Sequence, residues 1–184
     1  MNRVRRRVSP PALLLLALAY FLDGSGAVSA LVPAALVHEL GHVLALRLCR
    51  RRLTGFSLTL GGAALDYAPR LEGAQAALCA LSGPLFGGVY AVCACSLGGG
   101  FWRMSGTLSF LLSGFNLLPI LPLDGGRIAA ALLPARSARR LSLIAAAALF
   151  LACAAVCLRF GTILPLPIFA WLLACNLRKT ESGS

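Results

Sequence analysis

The sequence predicts an all-α polytopic membrane protein of about six transmembrane helices, with one short β-hairpin after the second. Three observations carry that prediction. Of 184 residues, 59% are hydrophobic and only 12% charged, and mean hydropathy is +0.84. No water-soluble domain of this size can hide so much apolar surface. The apolar residues fall in runs long enough to cross a bilayer, separated by small arginine clusters, the pattern that marks cytoplasmic loops. One stretch departs from the helical pattern: Phe56, Leu58 and Leu60 alternate with Ser57 and Thr59 ahead of the turn signal Gly61-Gly62, a period of two that reads as strand.

The elements follow in order. Arg3, Arg5, Arg6 and Arg7 make a basic tail over residues 1–9. The apolar run from Pro11 to Leu22 pauses at Asp23-Gly24-Ser25-Gly26 and resumes through Ala27–Ala35, so the first span is expected over residues 10–30. The same stretch has the parts of a secretory signal, with Val28-Ser29-Ala30 as a small-residue site, but the resumed apolar character favours an anchor. A second span over 28–48 ends in Arg47, Arg50, Arg51 and Arg52, and a hairpin at the membrane surface is expected over Gly55–Tyr67. The third span is expected over 72–97, interrupted by Gly83-Pro84. The fourth, 104–121, is broken by Pro119 and Pro122, and the fifth and sixth follow over 141–159 and 162–177. The whole chain, 1–184, reads as a single domain.

Seventeen Lys and Arg against six Asp and Glu give a net charge of +11. Nucleic acid is excluded as a partner, because no recognition motif and no basic face interleaved with aromatics is present. The partners expected instead are the lipid bilayer and membrane-embedded protein. With the amino terminus in the cytoplasm, six spans leave only Arg103 and Arg159 of the 17 basic residues outside. Both termini are therefore expected in the cytoplasm, and the Ala-, Arg- and Gly-rich composition fits a bacterial cell membrane. The seven cysteines (49, 79, 93, 95, 153, 157 and 175) are odd in number and lie mostly in apolar runs. They read as buried thiols rather than a disulfide framework.

Chemistry concentrates at His38-Glu39-Leu40-Gly41-His42, which holds both histidines of the chain inside an apolar run. Residues four apart share a helix face, so the two imidazoles can reach one metal ion. Glu39 projects to the side, where it can take a proton from water. Ionisable groups in such a segment are costly and indicate function. A catalytic zinc site takes three protein ligands, and no third histidine exists. Of the remaining acids, Asp23, Glu72 and Glu181 lie at span ends or in the tail, and Asp66 lies in the hairpin. Asp124 differs, because it follows Asn116-Leu-Leu-Pro119-Ile-Leu-Pro122-Leu, where two prolines break the helix and Gly125-Gly126 lets the chain turn. Irregular backbone at membrane depth lines a wet cavity or is buried in protein, which makes Asp124 the expected third ligand. The alternative is an aspartate capping a helix that begins near Arg127. One Zn²⁺ per chain suits this nitrogen and carboxylate set, a preference that cobalt and iron share. Arg47 and Arg50 lie five and eight residues beyond His42, which puts the site ~8–12 Å from the cytoplasmic boundary.

These residues resemble the site-2 protease family of intramembrane zinc metalloproteases. The family's His-Glu-x-x-His matches His38 to His42, including the Leu40-Gly41 interior. Its Asn-x-x-Pro-x-x-x-x-Asp-Gly matches Asn116, Pro119, Asp124 and Gly125. The Gly-rich hairpin and Gly83-Pro84 look like its intermediate elements. One departure is that family members commonly carry Asn shortly after Gly-Pro, where this chain has Leu85-Phe86-Gly87-Gly88. The six-span layout without a PDZ insert looks most like the sporulation branch, which cuts a membrane-associated pro-sigma factor, but here without that branch's CBS domain. The resemblance implies peptide-bond hydrolysis with Glu39 as general base and then acid. It also implies that Asn116 contacts the substrate backbone or the developing oxyanion. The expected substrate is a transmembrane or membrane-associated protein, for example a pro-sigma or anti-sigma factor, cut near the cytoplasmic face, with a membrane inhibitor or regulator as a further partner. A transmembrane helix hides its peptide bonds, so an extended segment is expected to add to the hairpin edge at Ser57, Leu58 and Thr59. A metal transporter is the first rival reading, although no internal repeat is present. A non-proteolytic membrane scaffold is the second.

Overall fold

The computed structural model describes residues 5–59, 62–69, 71–161 and 166–181, which fall into two compact units. The first is drawn from residues 1–71 and 82–113, the second from 72–81 and 114–184.

In the first unit, β1 (Arg5–Val8) leads into α1 (Pro10–Leu22). Proline at the first two positions of α1 suits a helix start, where the missing N–H has no intrahelical partner anyway. The helix is 13 residues long, about 20 Å, so the span expected over 10–30 ends at Leu22. Asp23 accepts hydrogen bonds from the Ser25 hydroxyl (2.6 Å), the Ser25 N–H (3.0 Å) and the Val28 N–H (2.7 Å). It thereby covers an orphan donor at the start of α2 (Ala27–Leu48). The Ser25 hydroxyl first, then the Val28 N–H, holds the Asp23 carboxyl below the usual carboxylate range.

After α2 come β2 (Arg52–Thr59) and β3 (Gly62–Ala68), antiparallel with Ser57 opposite Ala64 and Thr59 opposite Gly62. The basic tail is not free. Its strand β1 runs parallel to β2, with Arg5 beside Gly55 and Val8 beside Leu58, giving the order β1-β2-β3. Ser57 and Leu58 are therefore paired on both sides, and the edge expected to be open at Ser57, Leu58 and Thr59 is covered from residue 55 to 58. Sequence pattern missed β1 because four residues rich in arginine carry no period-two signal.

The unit closes with the later part of α3 (Gly73–Leu97) and most of α4 (Gly100–Asn116). Gly83-Pro84 does not interrupt α3, which runs through Pro84.

In the second unit the chain leaves α4 at Asn116, passes through a non-helical segment over 117–123, and forms α5 (Asp124–Leu132), α6 (Ala135–Phe160) and α7 (Leu166–Glu181). The fourth helix thus ends before Pro119, and the fifth starts six residues earlier than expected, at Ala135. Ile120, Ala146 and Leu172 form the buried centre, with Leu118, Leu123, Leu149 and Phe169 packed against them. Leu151, Leu158 and Phe160 on α6 point outward and are exposed, the disposition of a helix that meets lipid. Among the described residues three helices are long and apolar enough to cross a membrane: Ala27–Leu48, Gly73–Leu97 and Ala135–Phe160.

Candidate metal centre

The buried stripe of α2 is Ala30, Ala34, His38, Gly41, His42 and Leu46, one face of a 3.6-residue helix. His38 and His42 are 4% and 7% exposed. Their rings meet edge to face with centroids 5.1 Å apart, as the four-residue spacing requires. Glu39 is half-buried, one position round from this stripe.

Missing side chains make room for the rings. A Cβ on Gly83 would lie 2.8 Å from His42 Cδ2, 2.5 Å from Cε1 and closer still to Nε2. The imidazole of His42 therefore rests directly on the α3 backbone. At Gly41 a Cβ would meet the Ser82 carbonyl at 2.6 Å, so α2 and α3 touch backbone to backbone beside the site. A Cβ on Gly87 would overlap Ser113 Oγ and stand 3.6 Å from His38 Nδ1.

Ser105, Ser109 and Ser113 form a buried stripe on α4. Ser109 donates to the Gly87 carbonyl (2.8 Å) and Ser105 pairs with the Tyr90 hydroxyl (2.8 Å). Sequence reasoning missed these serines, although their i, i+4, i+8 spacing was the signal.

Asp124 lies in the second unit and is 5% exposed. It is the first residue of α5, whose N-cap is Leu123 with no side-chain cap. The helix therefore begins at Asp124, not near Arg127. The carboxylate sits at the positive end of α5, with Arg127 Nη1 3.7 Å from Oδ1. Asn116, half-buried, ends α4. Between them the backbone bonds run Ile120 N to Leu118 O (2.7 Å) and Leu123 N to Ile120 O (2.8 Å), a pair of tight turns. A Cβ on Gly126 would lie 2.5 Å from Leu121 N, and one on Gly125 would overlap the Leu117 carbonyl. The first turn of α5 is thus pressed onto the segment before it.

Sequence reasoning also missed Ser142 and Asn176, which are buried and bonded to Leu121. Ser142 Oγ accepts from Leu121 N (2.7 Å) and Asn176 Nδ2 donates to Leu121 O (2.7 Å). The expected substrate-binding residues Ser57, Leu58 and Thr59 lie on β2, in the sheet described above. Two imidazoles and a carboxylate are the donor types of a zinc site.

Residues 97–160 match the family model for peptidase family M50. That stretch takes in α4, the non-helical segment, Asp124, α5 and α6. Among solved structures, the chain is similar to the site-2 protease from Methanocaldococcus jannaschii. The TM-score is 0.65 at 18% identity, over 91% of this chain and 85% of that one. No curated protein sequence matches. The matched segment is that of a metalloprotease family. The likeness to the site-2 protease is one of fold.

Proposed function

We propose that the protein is a zinc-dependent intramembrane endopeptidase that cuts a transmembrane or membrane-associated protein near the cytoplasmic face. The observation that carries this reading is the buried pair His38 and His42 on one face of α2, with Glu39 beside the first histidine and Asp124 as the proposed third ligand. When bound there, zinc supplies Lewis acidity and lowers the pKa of water towards neutrality. The chain's own groups do the rest. His38 and His42 present nitrogens from one face of α2, and Asp124 offers its carboxylate from the start of α5. Glu39 takes the proton of the attacking water and passes it to the leaving amine. Asn116 donates its amide N–H to the developing oxyanion, a contact worth on the order of 2.7–4 kcal/mol in such sites.

The six-span layout counts α1, α4 and α7 with the three longer helices, with both termini in the cytoplasm of a bacterial cell. The pairing of β1 with β2 supports one part of it. Residues 5–8 and 52–59 belong to one sheet, so the chain leaves and returns to the same side through α1 and α2. An extended substrate segment finds free edges in this sheet at β1 and β3. It reaches Ser57, Leu58 and Thr59 only if β1 withdraws. The substrate class expected is a transmembrane or membrane-associated regulatory protein such as a pro-sigma or anti-sigma factor.

Metal analysis by mass spectrometry on the detergent-purified chain tests the reading. About one zinc per chain is expected, lost in His38→Ala and Asp124→Ala and kept in Glu39→Gln. Zinc indifferent to these residues would refute it.

A further inference from the structure

We infer that Ser142 on α6 and Asn176 on α7 are positioning residues for Asp124, acting as a polar clamp on the peptide groups of Leu121. The inference rests on the proposed metal-binding role of Asp124. Leu121 stands three residues before Asp124, between Pro119 and Pro122, where neither proline can donate and the helical ladder is lost. In apolar surroundings a backbone N–H or carbonyl left open there is costly. The chain closes both. Leu121 N–H donates to Ser142 Oγ (2.7 Å), the Ser142 hydroxyl donates to Asn176 Oδ1, and Asn176 Nδ2 donates back to the Leu121 carbonyl (2.7 Å).

The second amide hydrogen of Asn176 goes to the Leu172 carbonyl (2.8 Å) of its own helix, which fixes the side-chain orientation. Both donors of the amide are used, and the serine hydroxyl both gives and accepts. Ser142 is 1% and Asn176 5% exposed, and neighbouring Ile120 is 1% exposed, so water does not compete for these bonds.

The clamp reaches Asp124 through a short, stiff path. Gly126 packs against the Ile120–Leu121 peptide, and Leu123 N–H bonds to the Ile120 carbonyl (2.8 Å). Displacing Leu121 therefore displaces the first turn of α5. Two apolar residues at 142 and 176 would fill the same space without holding that peptide. Supporting groups of this kind typically carry 10–100-fold in metal affinity.

The experiment measures Zn²⁺ affinity by chelator competition and the visible spectrum of the Co²⁺-loaded protein. It uses the full chain in detergent, with thermal unfolding of the metal-free protein alongside. Asn176→Leu should weaken zinc about 10–100-fold and change the cobalt bands. Ser142→Ala, a milder change that leaves the Leu121 carbonyl its donor, should weaken zinc less, about 3–10-fold. Lower unfolding temperatures with unchanged affinity and cobalt bands in both variants would overturn the clamp. If Asn176→Leu does not fold, Ser142→Ala decides alone. Wild-type zinc that does not depend on His38 or Asp124 would overturn the metal site itself, and the two failures are thereby told apart.

Discussion

Adding one methyl group at Gly83 should weaken zinc binding while leaving the protein folded. A Cβ there stands 2.5 Å from His42 Cε1 and 2.8 Å from Cδ2, whereas carbon atoms in contact keep ~3.5–4.0 Å apart. The imidazole must retreat by about 1 Å, against a tolerance of ~0.2 Å in a metal–ligand distance. The ring cannot rotate away without losing the face it shares with His38, because their centroids are only 5.1 Å apart. Fold stability changes less. Overpacking costs about 1–3 kcal/mol, and alanine in place of a helix-interior glycine returns about 1 kcal/mol. Gly83→Ala is therefore expected to lose no more than about 2 kcal/mol, and about 100-fold in turnover from a misplacement of this size. The assay pairs zinc titration of the purified variant with cleavage of a reporter transmembrane segment in liposomes. Wild-type zinc affinity in Gly83→Ala would refute the contact between His42 and α3 as the device that places this ring.

Glu39→Gln should retain zinc and lose about 10²–10⁴-fold in cleavage, the usual worth of a positioned proton-transfer group; paired metal analysis and single-turnover cleavage measure both. Among the described residues Ser113 Oγ is buried with no hydrogen-bond partner, so Ser113→Ala should be neutral or stabilising by up to ~3 kcal/mol. A clear fall in unfolding temperature would contradict this. Asp23 has its carboxyl depressed by Ser25 and Val28, so its contribution is complete above the ordinary carboxylate pKa of about 3.9 and is lost as pH falls through the lower folded value. Asp23→Ala should therefore melt below wild type at pH 5–7, the gap closing as the pH drops below about 4 in a pH series of melting curves. A disulfide between Arg6→Cys and Phe56→Cys, neighbours in the β1–β2 register, should hold β1 in place and leave cleavage intact, because β3 keeps its free edge. Loss of cleavage restored by reductant would place the substrate on β2 instead.

The donors of the proposed metal site stand out in the sequence because their signals are local. His38 and His42 are fixed by a spacing of four, and Asp124 stood out as an acid after two prolines in a chain with six acids in all. The strands β2 and β3 followed from alternation and a glycine turn. What stayed hidden depends on partners distant in sequence. Arg5–Val8 becomes a strand only because β2 lies alongside, and nothing in four such residues announces it. Asn176 looks like any polar residue near the end of an apolar run, yet its partner Leu121 lies 55 positions away. The expected break at Gly83-Pro84 is absent from α3 for a related reason. Glycine and proline weaken a helix by propensity, but α3 continues through them where α2 packs closely at Gly41 and Gly83.

The two kinds of proposed ligand are placed by opposite means. His38 and His42 stand on a regular helix whose backbone satisfies itself, so their placement depends on space: glycine beside the ring, backbone against backbone. Asp124 stands just after a stretch that has given up helical hydrogen bonds, so its placement depends on replacement partners, Ser142 and Asn176. Substitutions that change volume without polarity should therefore act on the histidines, as at Gly83. Changes of polarity at constant volume should act on the aspartate, as at Asn176. A protein that works within lipid needs both. A helix alone cannot turn a carboxylate towards a wet site, and broken backbone cannot persist in hydrocarbon unless side chains close it.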